Sequence, residues 1–72
     1  MQEQIEQYLN TIAKNTKFFR EKANLSQETL AEKLNLSREF INRVENRKEN
    51  FSLNSLLTLA IFFDVKPEVF FK

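Results

Sequence analysis

Residues 25–46 read LSQETLAEKLNLSREFINRVEN, and this stretch decides the fold. Its apolar residues recur at spacings of three and four, which is typical of the buried face of a helix. The recurrence is interrupted at Asn35, a residue type that tolerates the left-handed backbone conformation in which many helices end. The stretch therefore predicts two short helices joined by a tight turn, with Leu30, Ala31 and Leu34 buried before the turn and Ile41 and Val44 buried after it.

The second of these helices carries its charged and amide side chains off the Ile41/Val44 face. They are Arg38, Glu39, Asn42 and Arg43. Two short helices that cross at a steep angle, with the second exposed to a DNA groove, form a helix-turn-helix. A guanidinium such as that of Arg38 presents a planar fork that matches guanine O6 and N7 in the major groove. The pattern therefore predicts a DNA-reading surface on this helix.

The rest of the chain predicts three more helices and no strand. A first helix over about residues 3–22 has its apolar face at Ile5, Leu9, Ile12, Thr16, Phe19 and Ala23. A fourth helix follows Ser52, and Pro67 suits the first position of a short fifth one. The chain has no Gly, so the left-handed residues at the helix ends must be of other types, and we predict Asn24, Asn35, Asn46 and Asp64.

The composition excludes several classes of function. The chain of 72 residues has no Cys, no His and a single Asp, which removes thiolate metal sites, disulfides and the commonest catalytic base. It also lacks a Gly-rich phosphate loop. With these residue types missing, the chain can assemble neither a nucleophile–base pair nor a metal site. We therefore expect no enzymatic activity, no cofactor and no metal.

The charge and hydropathy patterns point to a cytoplasmic protein. No apolar run approaches the ~18 residues that cross a bilayer, and the polar, acidic start MQEQIEQYLN differs from a signal peptide. A net charge of +1 makes DNA binding depend on local basic clusters. One cluster contains Lys14, Lys17, Arg20 and Lys22, the other contains Arg38, Arg43, Arg47 and Lys48, and we expect the acidic offset, such as Glu3 and Glu6, to lie elsewhere.

Residues 12–71 resemble the phage-repressor/Cro-type helix-turn-helix family, also called the xenobiotic-response-element type. The resemblance rests on LSQETLAEKL, on the pair Ile41 and Val44, and on the VEN–SL–L–LA spacing that follows. SREFIN and the ending VFF are most similar to the controller proteins of restriction-modification systems. The resemblance implies an all-α fold, a compact five-helix bundle like repressor DNA-binding domains, with residues 1–72 as one domain and residues 1–11 as an N-terminal helical extension.

The resemblance also implies roles for individual residues. Gln27 and Asn46 match positions that contact phosphates, and Arg20 with Glu45 matches a structural ion pair between the first and third helices. Arg47 stands where the family usually has Gly, which either strains the turn or adds a phosphate contact. Glu49 stands where a basic residue is frequent, so that loop is expected to touch DNA less. The predicted DNA contacts are Gln27, Ser37, Arg38, Glu39, Asn42, Arg43, Asn46, Arg47 and Lys48.

Three residues of the predicted reading helix keep two interpretations. Glu39 either accepts a hydrogen bond from cytosine N4 or pairs with Arg43 one helical turn on. Asn42 either reaches adenine or is a solvated polar residue. Phe40 either packs at the rim of the core or touches a sugar or a thymine methyl group, and we favour rim packing because large apolar residues at helical spacing mostly belong to a core.

The C-terminal part has more apolar residues than one small core needs. They are Leu57, Ile61, Phe62, Val69 and Phe71. A helix that is apolar nearly all round is buried on several sides, so we predict a symmetric homodimer through this surface. The alternative is that the N-terminal extension, with Ile5, Tyr8 and Leu9, covers these residues within one chain.

We therefore predict a dimeric, sequence-specific transcriptional regulator that binds a palindromic operator of double-stranded DNA with its third helix in the major groove. A chain of this size has no room for a ligand domain, so its own concentration and dimerisation would control it. The resemblance to controller proteins suggests autoregulation. The alternative function is an antitoxin-like interaction module whose Phe-rich C-terminal helices bind a partner protein.

Overall fold

The computed structural model of the chain describes residues 1–48 and 52–72. Within them, helix α1 spans Gln2–Lys22, α2 spans Gln27–Leu34, α3 spans Arg38–Glu45, α4 spans Leu53–Phe62, and a 3₁₀ helix spans Pro67–Phe71. The described residues contain no strand, which confirms the all-α prediction. The extension predicted at residues 1–11 is continuous with the rest of α1.

The 3₁₀ helix corrects the prediction of a fifth α-helix. The Val69 N–H donates to the Lys66 carbonyl at 3.0 Å, and the Lys72 N–H donates to the Val69 carbonyl at 3.3 Å. Both bonds span three residues, the spacing of a 3₁₀ turn, which is usual for segments this short. The Phe70 residue of this turn is completely buried, and its ring packs on the Phe19 ring of α1 with centroids 5.3 Å apart.

Serine side chains begin three of the four α-helices that the structure describes, among them the fourth helix predicted to follow Ser52. The hydroxyl oxygens of Ser26, Ser37 and Ser52 accept hydrogen bonds from backbone N–H groups three residues on, at 3.0, 3.0 and 3.1 Å respectively. Each bond satisfies one of the N–H groups that lack a partner in the first turn of a helix. The starts of α2, α3 and α4 are therefore set by local sequence.

The helix ends share one backbone motif. The residue after each left-handed position donates its N–H to a carbonyl five residues earlier, at distances from 2.7 to 3.1 Å, which is the Schellman arrangement. The left-handed residues are Asn24, Asn35, Arg47 and Asp64. The prediction of Asn46 is wrong by one position: Asn46, the residue after the end of α3, has φ −99°, and the left-handed residue is Arg47, with φ 63°.

The core is one cluster of buried side chains. Its central side chains come from every described helix, and they are Ile12, Leu30, Ala31, Ile41, Leu56, Leu59, Ala60 and Phe70. Asn15 on α1 donates to the carbonyls of Val69 and Phe70, at 3.3 and 2.9 Å, and so ties the 3₁₀ helix to α1. The apolar face of α1 is buried only in its middle, because Ile5 and Ala23 are exposed. Across the described part of the chain, no helix has the length and apolarity to span a bilayer.

Candidate DNA-binding interface

Helix α3 is amphipathic, with one side in the core and the other open. Ile41 and Val44 are almost fully buried and fix the orientation of the helix. The opposite side carries exposed polar residues that line one shallow depression, and they are Arg38, Glu39, Asn42 and Arg43. The structure therefore brings together the four residues that sequence reasoning assigned to base readout.

An ion pair beneath α3 joins it to α1. The Arg20 Nε lies 2.7 Å from one carboxylate oxygen of Glu45, and a terminal guanidinium nitrogen lies 3.0 Å from the other. A second terminal nitrogen of Arg20 donates to the Leu25 carbonyl at 2.8 Å. The Arg20 and Glu45 side chains are only 11% and 3% exposed, so removing either one leaves a largely desolvated partner.

The hydrogen bonds that Arg20 donates to the Glu45 carboxylate raise the pKa of the Arg20 guanidinium above its ordinary value, and burial has a smaller opposing effect. A raised pKa on a basic group adds stability that is present below the unfolded-state pKa and disappears only as pH rises through the folded-state pKa. The ordinary pKa of arginine already lies far above neutral pH. Arg20 is therefore charged throughout the physiological range, and its titration creates no pH dependence there.

Glu45 also organises two of the predicted DNA contacts. The Gln27 side-chain amide donates to Glu45 at 3.1 Å, and the Gln27 carbonyl oxygen accepts from the Asn42 amide at 3.2 Å. A chain of hydrogen bonds thus runs from the interior ion pair to the exposed side of α3. Sequence reasoning missed this link, because Gln27 and Asn42 lie 15 residues apart and on different helices.

The remaining predicted contacts lie at the two ends of α3. Ser37 is exposed at the N-terminal end, where its hydroxyl caps the helix. Asn46 follows the C-terminal end, and its amide donates back to the Asn42 carbonyl at 2.9 Å. Lys48 is exposed two residues further on. The prediction for Glu49 lies outside the described residues.

Arg47 is held by the N-terminal half of α1. Its guanidinium donates to the Asn10 side-chain oxygen at 2.8 Å and forms an ion pair with the Glu6 carboxylate. Glu6 therefore lies next to the basic cluster at the end of α3, and the prediction that it lies elsewhere is wrong. The sequence gives no signal for this contact beyond Glu6 and Asn10 sharing one face of α1 at a spacing of four.

Phe40 lies at the edge of the core. It is partly buried and packs against the buried cluster. This placement agrees with the rim-packing interpretation of a large apolar residue beside the polar side of α3.

The residues predicted for a dimer interface fall into two groups. On α4, Leu57, Ile61 and Phe62 are 36%, 79% and 37% exposed. In the 3₁₀ helix, Val69 is partly buried, and the Phe71 ring packs edge-on against the Tyr8 ring with centroids 6.1 Å apart. The N-terminal extension thus covers part of Phe71 within one chain, while Ile61 remains open.

A family model described as Helix-turn-helix matches residues 17–70, which is most of the chain. The chain belongs to the helix-turn-helix family. The resemblance to its Cro-type members is therefore confirmed, and DNA-binding transcriptional regulators are the proteins with which it groups. The family match begins after Glu6 and Asn10, so the contacts that hold Arg47 come from outside the matched region.

Three relatives illustrate where this helix-turn-helix chain lies within the family. An uncharacterized HTH-type transcriptional regulator of Methanocaldococcus jannaschii is 44% identical over 55 residues, which cover 76% of this chain and 83% of the relative. The control protein C.SmaI of Serratia marcescens is 43% identical over 49 residues, which cover 68% of this chain and 58% of that protein. The chain thus spans somewhat less than two thirds of C.SmaI.

The third relative is a solved structure. The restriction-modification controller protein C.AhdI from Aeromonas hydrophila superposes with a TM-score of 0.80 at 35% identity, covering 88% of this chain and 96% of that one. The likeness to controller proteins expected from SREFIN and VFF is therefore found in both sequence and structure.

In the described residues, no group of three or more acidic side chains is placed to hold a metal ion.

Proposed function

We propose that this chain is a sequence-specific transcriptional regulator that binds a palindromic operator as a homodimer, with α3 in the major groove. The observation that carries the proposal is the geometry of α3. Ile41 and Val44 fix the helix from below, while Arg38, Asn42 and Arg43 project from its exposed side. A major groove about 12 Å wide admits a helix with such side chains, and arginine and amide groups read base edges there.

Specificity and affinity are assigned to different residues. Arg38, Glu39, Asn42 and Arg43 would read bases, while Gln27, Ser37, Asn46 and Lys48 would position the domain on the phosphates. Gln27 supports this division because it is the first residue of α2, where free backbone N–H groups favour an anion. Its bonds to Glu45 and Asn42 would hold the phosphate-contacting and base-reading groups in one geometry.

The homodimer is supported by the exposed apolar surface of α4. Ile61 is 79% exposed although its neighbours Leu59 and Ala60 are buried, so folding of one chain leaves it uncovered. A two-fold axis through this surface would relate two α3 helices. Half-sites about 34 Å apart, one turn of DNA, are the spacing that such dimers read.

Autoregulation is proposed from the relatives. One is named a control protein and another a restriction-modification controller protein. We propose that this chain binds DNA close to its own gene, and that its concentration sets occupancy through the monomer–dimer equilibrium.

Fluorescence anisotropy with DNA from upstream of the gene tests the proposal. At physiological salt, the native duplex should bind at least ~10³-fold more tightly than a shuffled duplex of equal length and composition. Equal, strongly salt-dependent binding to both would reduce the activity to electrostatic attraction and contradict the proposal.

A second candidate function, an antitoxin-like interaction module, is supported by the same α4 surface. Leu53, Leu57 and Ile61 are exposed there, and another protein would cover them as well as a second copy would. Sedimentation of the purified chain separates the two functions. A concentration-dependent dimer favours the regulator, whereas a monomer at all concentrations, with sequence-blind DNA binding, favours the interaction module.

A further inference from the structure

We propose that Glu6 and Asn10, in the N-terminal half of α1, hold the Arg47 side chain and thereby position the segment that follows α3. We call the group formed by Glu6, Asn10 and Arg47 the clasp. Its consequence is that DNA affinity depends on Glu6, a residue on another helix and outside the matched family region. The proposal rests on the proposed DNA-binding function for this consequence, while the clasp itself is a property of the free protein.

The backbone at Arg47 explains why a clasp is useful. Arg47 has φ 63°, a left-handed conformation that glycine and asparagine adopt far more readily than arginine. The three other left-handed positions in the described residues are Asn or Asp. Arg47 is therefore the one of these four whose residue type works against its backbone, and side-chain contacts have to offset that preference.

The side-chain contacts of Arg47 provide such an offset. The guanidinium reaches Asn10 at 2.8 Å and pairs with the Glu6 carboxylate, and the arginine side chain is 25% exposed. Glu6 and Asn10 lie one turn apart on α1, so both partners are fixed by a regular helix. Glu6 is itself oriented by the Gln2 amide, which donates to it at 3.1 Å.

The held segment contains two of the predicted phosphate contacts. Asn46 immediately precedes Arg47, and Lys48 immediately follows it. The Lys48 N–H donates to the Arg43 carbonyl at 2.7 Å, a bond that requires the left-handed turn at Arg47. The clasp therefore acts on DNA indirectly, by keeping Asn46 and Lys48 in register with α3, and Arg47 is a positioning residue.

Paired substitutions in α1 test this role. Glu6→Ala breaks the clasp, and Glu3→Ala removes an identical charge from an exposed position of the same helix. Each substitution removes one negative charge, so the electrostatic attraction to DNA changes equally in both variants. The probe is the tightest duplex recovered from a random pool of about 30 base pairs, long enough for two half-sites one turn apart.

The clasp predicts that Glu6→Ala binds the selected duplex about two- to fivefold more weakly than Glu3→Ala, the range expected for loss of a partly exposed ion pair. Binding to a random duplex should be weakened by a similar factor, because the clasp acts through Asn46 and Lys48, whose proposed phosphate contacts carry no sequence information. Affinity of Glu6→Ala equal to or tighter than that of Glu3→Ala would overturn the proposal. Tighter binding would mean that Glu6 withholds Arg47 from a phosphate instead.

Arg47→Gly supplies a second test, because glycine adopts the left-handed turn without a clasp. In the Arg47→Gly background, the affinity difference between the Glu6→Ala and Glu3→Ala variants should vanish, as a double-mutant cycle requires for residues that act through each other. A difference that persists in this background would show that Glu6 acts independently of Arg47 and would overturn the proposal.

Hydrogen exchange in the free protein separates the clasp from the DNA-binding function. The Lys48 amide should exchange about two- to fivefold faster in Glu6→Ala than in Glu3→Ala, because the turn at Arg47 opens more often. If the wild-type chain selects no duplex, the proposed function fails while this measurement still decides the clasp. Equal exchange in the two variants would overturn the clasp even where DNA binding is specific.

Discussion

The helix-turn-helix formed by α2 and α3 and the C-terminal region formed by α4 and the 3₁₀ helix share one core but expose opposite kinds of side chain. The open side of α3 carries charged and amide groups around Asn42. The open side of α4 carries Leu53 and Ile61, which are 70% and 79% exposed. Both helices bury a comparable apolar face, so the demands of folding do not explain the difference between their outer surfaces.

This difference separates residues that stabilise the fold from exposed residues that are available for binding. Burial removes apolar surface from water at a gain of roughly 25 cal/mol per Å², and exposed Ile61 contributes little of this gain in one chain. Likewise, an exposed Arg38 contributes little to folding. Substitutions at buried positions should therefore change stability, and substitutions on either outer surface should change binding alone.

The largest expected effect is at Phe70, the fully buried ring of the C-terminal region. Phe70→Ala should lower the free energy of unfolding by about 3–5 kcal/mol, because a cavity would replace the ring that packs on Phe19. Urea denaturation followed by circular dichroism measures this loss. Phe71→Ala is the matched control, since the adjacent ring is 43% exposed and should cost less than about 1.5 kcal/mol. Similar losses of unfolding free energy in both variants would contradict the assignment of Phe70 to the core and of Phe71 to the surface.

The outer surface of α4 should govern assembly without governing folding. Leu57→Gln/Ile61→Gln should change the free energy of unfolding of the monomer by less than about 1 kcal/mol, because surface substitutions are usually within ±0.5 kcal/mol each. Operator affinity should fall by about 100-fold, as the loss of a second linked binding module predicts. Sedimentation and anisotropy check both statements, with Thr58→Gln as a control at an exposed polar position of α4. A double variant that remains dimeric would place the interface elsewhere.

The outer surface of α3 should govern specificity. Arg38→Ala should weaken binding to the preferred operator by about 1–3 kcal/mol, the discrimination of one bidentate base contact, and should relax the preference for one base pair. Lys48→Ala should instead weaken binding evenly across sequences, because a phosphate contact carries no sequence information. Binding to single-base operator variants measures the contrast. If Arg38→Ala also weakened binding to all sequences by the same factor, Arg38 would be assigned to the phosphate backbone instead of a base.

Local sequence predicts most of the fold, because the signals at helix ends act over a few residues. Ser26, Ser37 and Ser52 accept backbone hydrogen bonds from positions three residues on, so each start is visible in the sequence itself. The shift from Asn46 to Arg47 shows where local preference fails. Asparagine suits the left-handed conformation better, yet α3 ends at Glu45 and the left-handed residue is Arg47, one position after Asn46.

The contacts that sequence reasoning missed all join distant parts of the chain. Arg47 and its partner Asn10 are 37 residues apart, and Asn15 reaches a carbonyl 55 residues away. The sequence alone does not distinguish a polar residue that is solvated from one that forms such a long-range contact. Glu6 illustrates the consequence, because its charge was expected to lie outside the basic clusters and the packing of α1 brings it beside Arg47.

The smallest predicted effect distinguishes two serines with the same structural role. Ser26 caps α2 and Ser37 caps α3, each accepting from a backbone N–H at 3.0 Å. Replacement of either by alanine should cost about 1 kcal/mol of unfolding free energy, the typical value of an N-cap. Thermal or urea denaturation of the two variants should therefore give nearly equal losses.

Their effects on DNA binding should differ, because Ser37 begins the helix that reads DNA and Ser26 does not. Ser37→Ala should weaken operator binding beyond its effect on folding, through loss of a phosphate contact beside Arg38 and through fraying of the first turn of α3. Ser26→Ala should weaken binding of the folded domain less, because fraying of the first turn of α2 affects the Gln27 phosphate contact and no base-reading residue. Equal DNA affinities for the two folded variants would limit Ser37 to capping, and the DNA-contacting surface would then begin at Arg38.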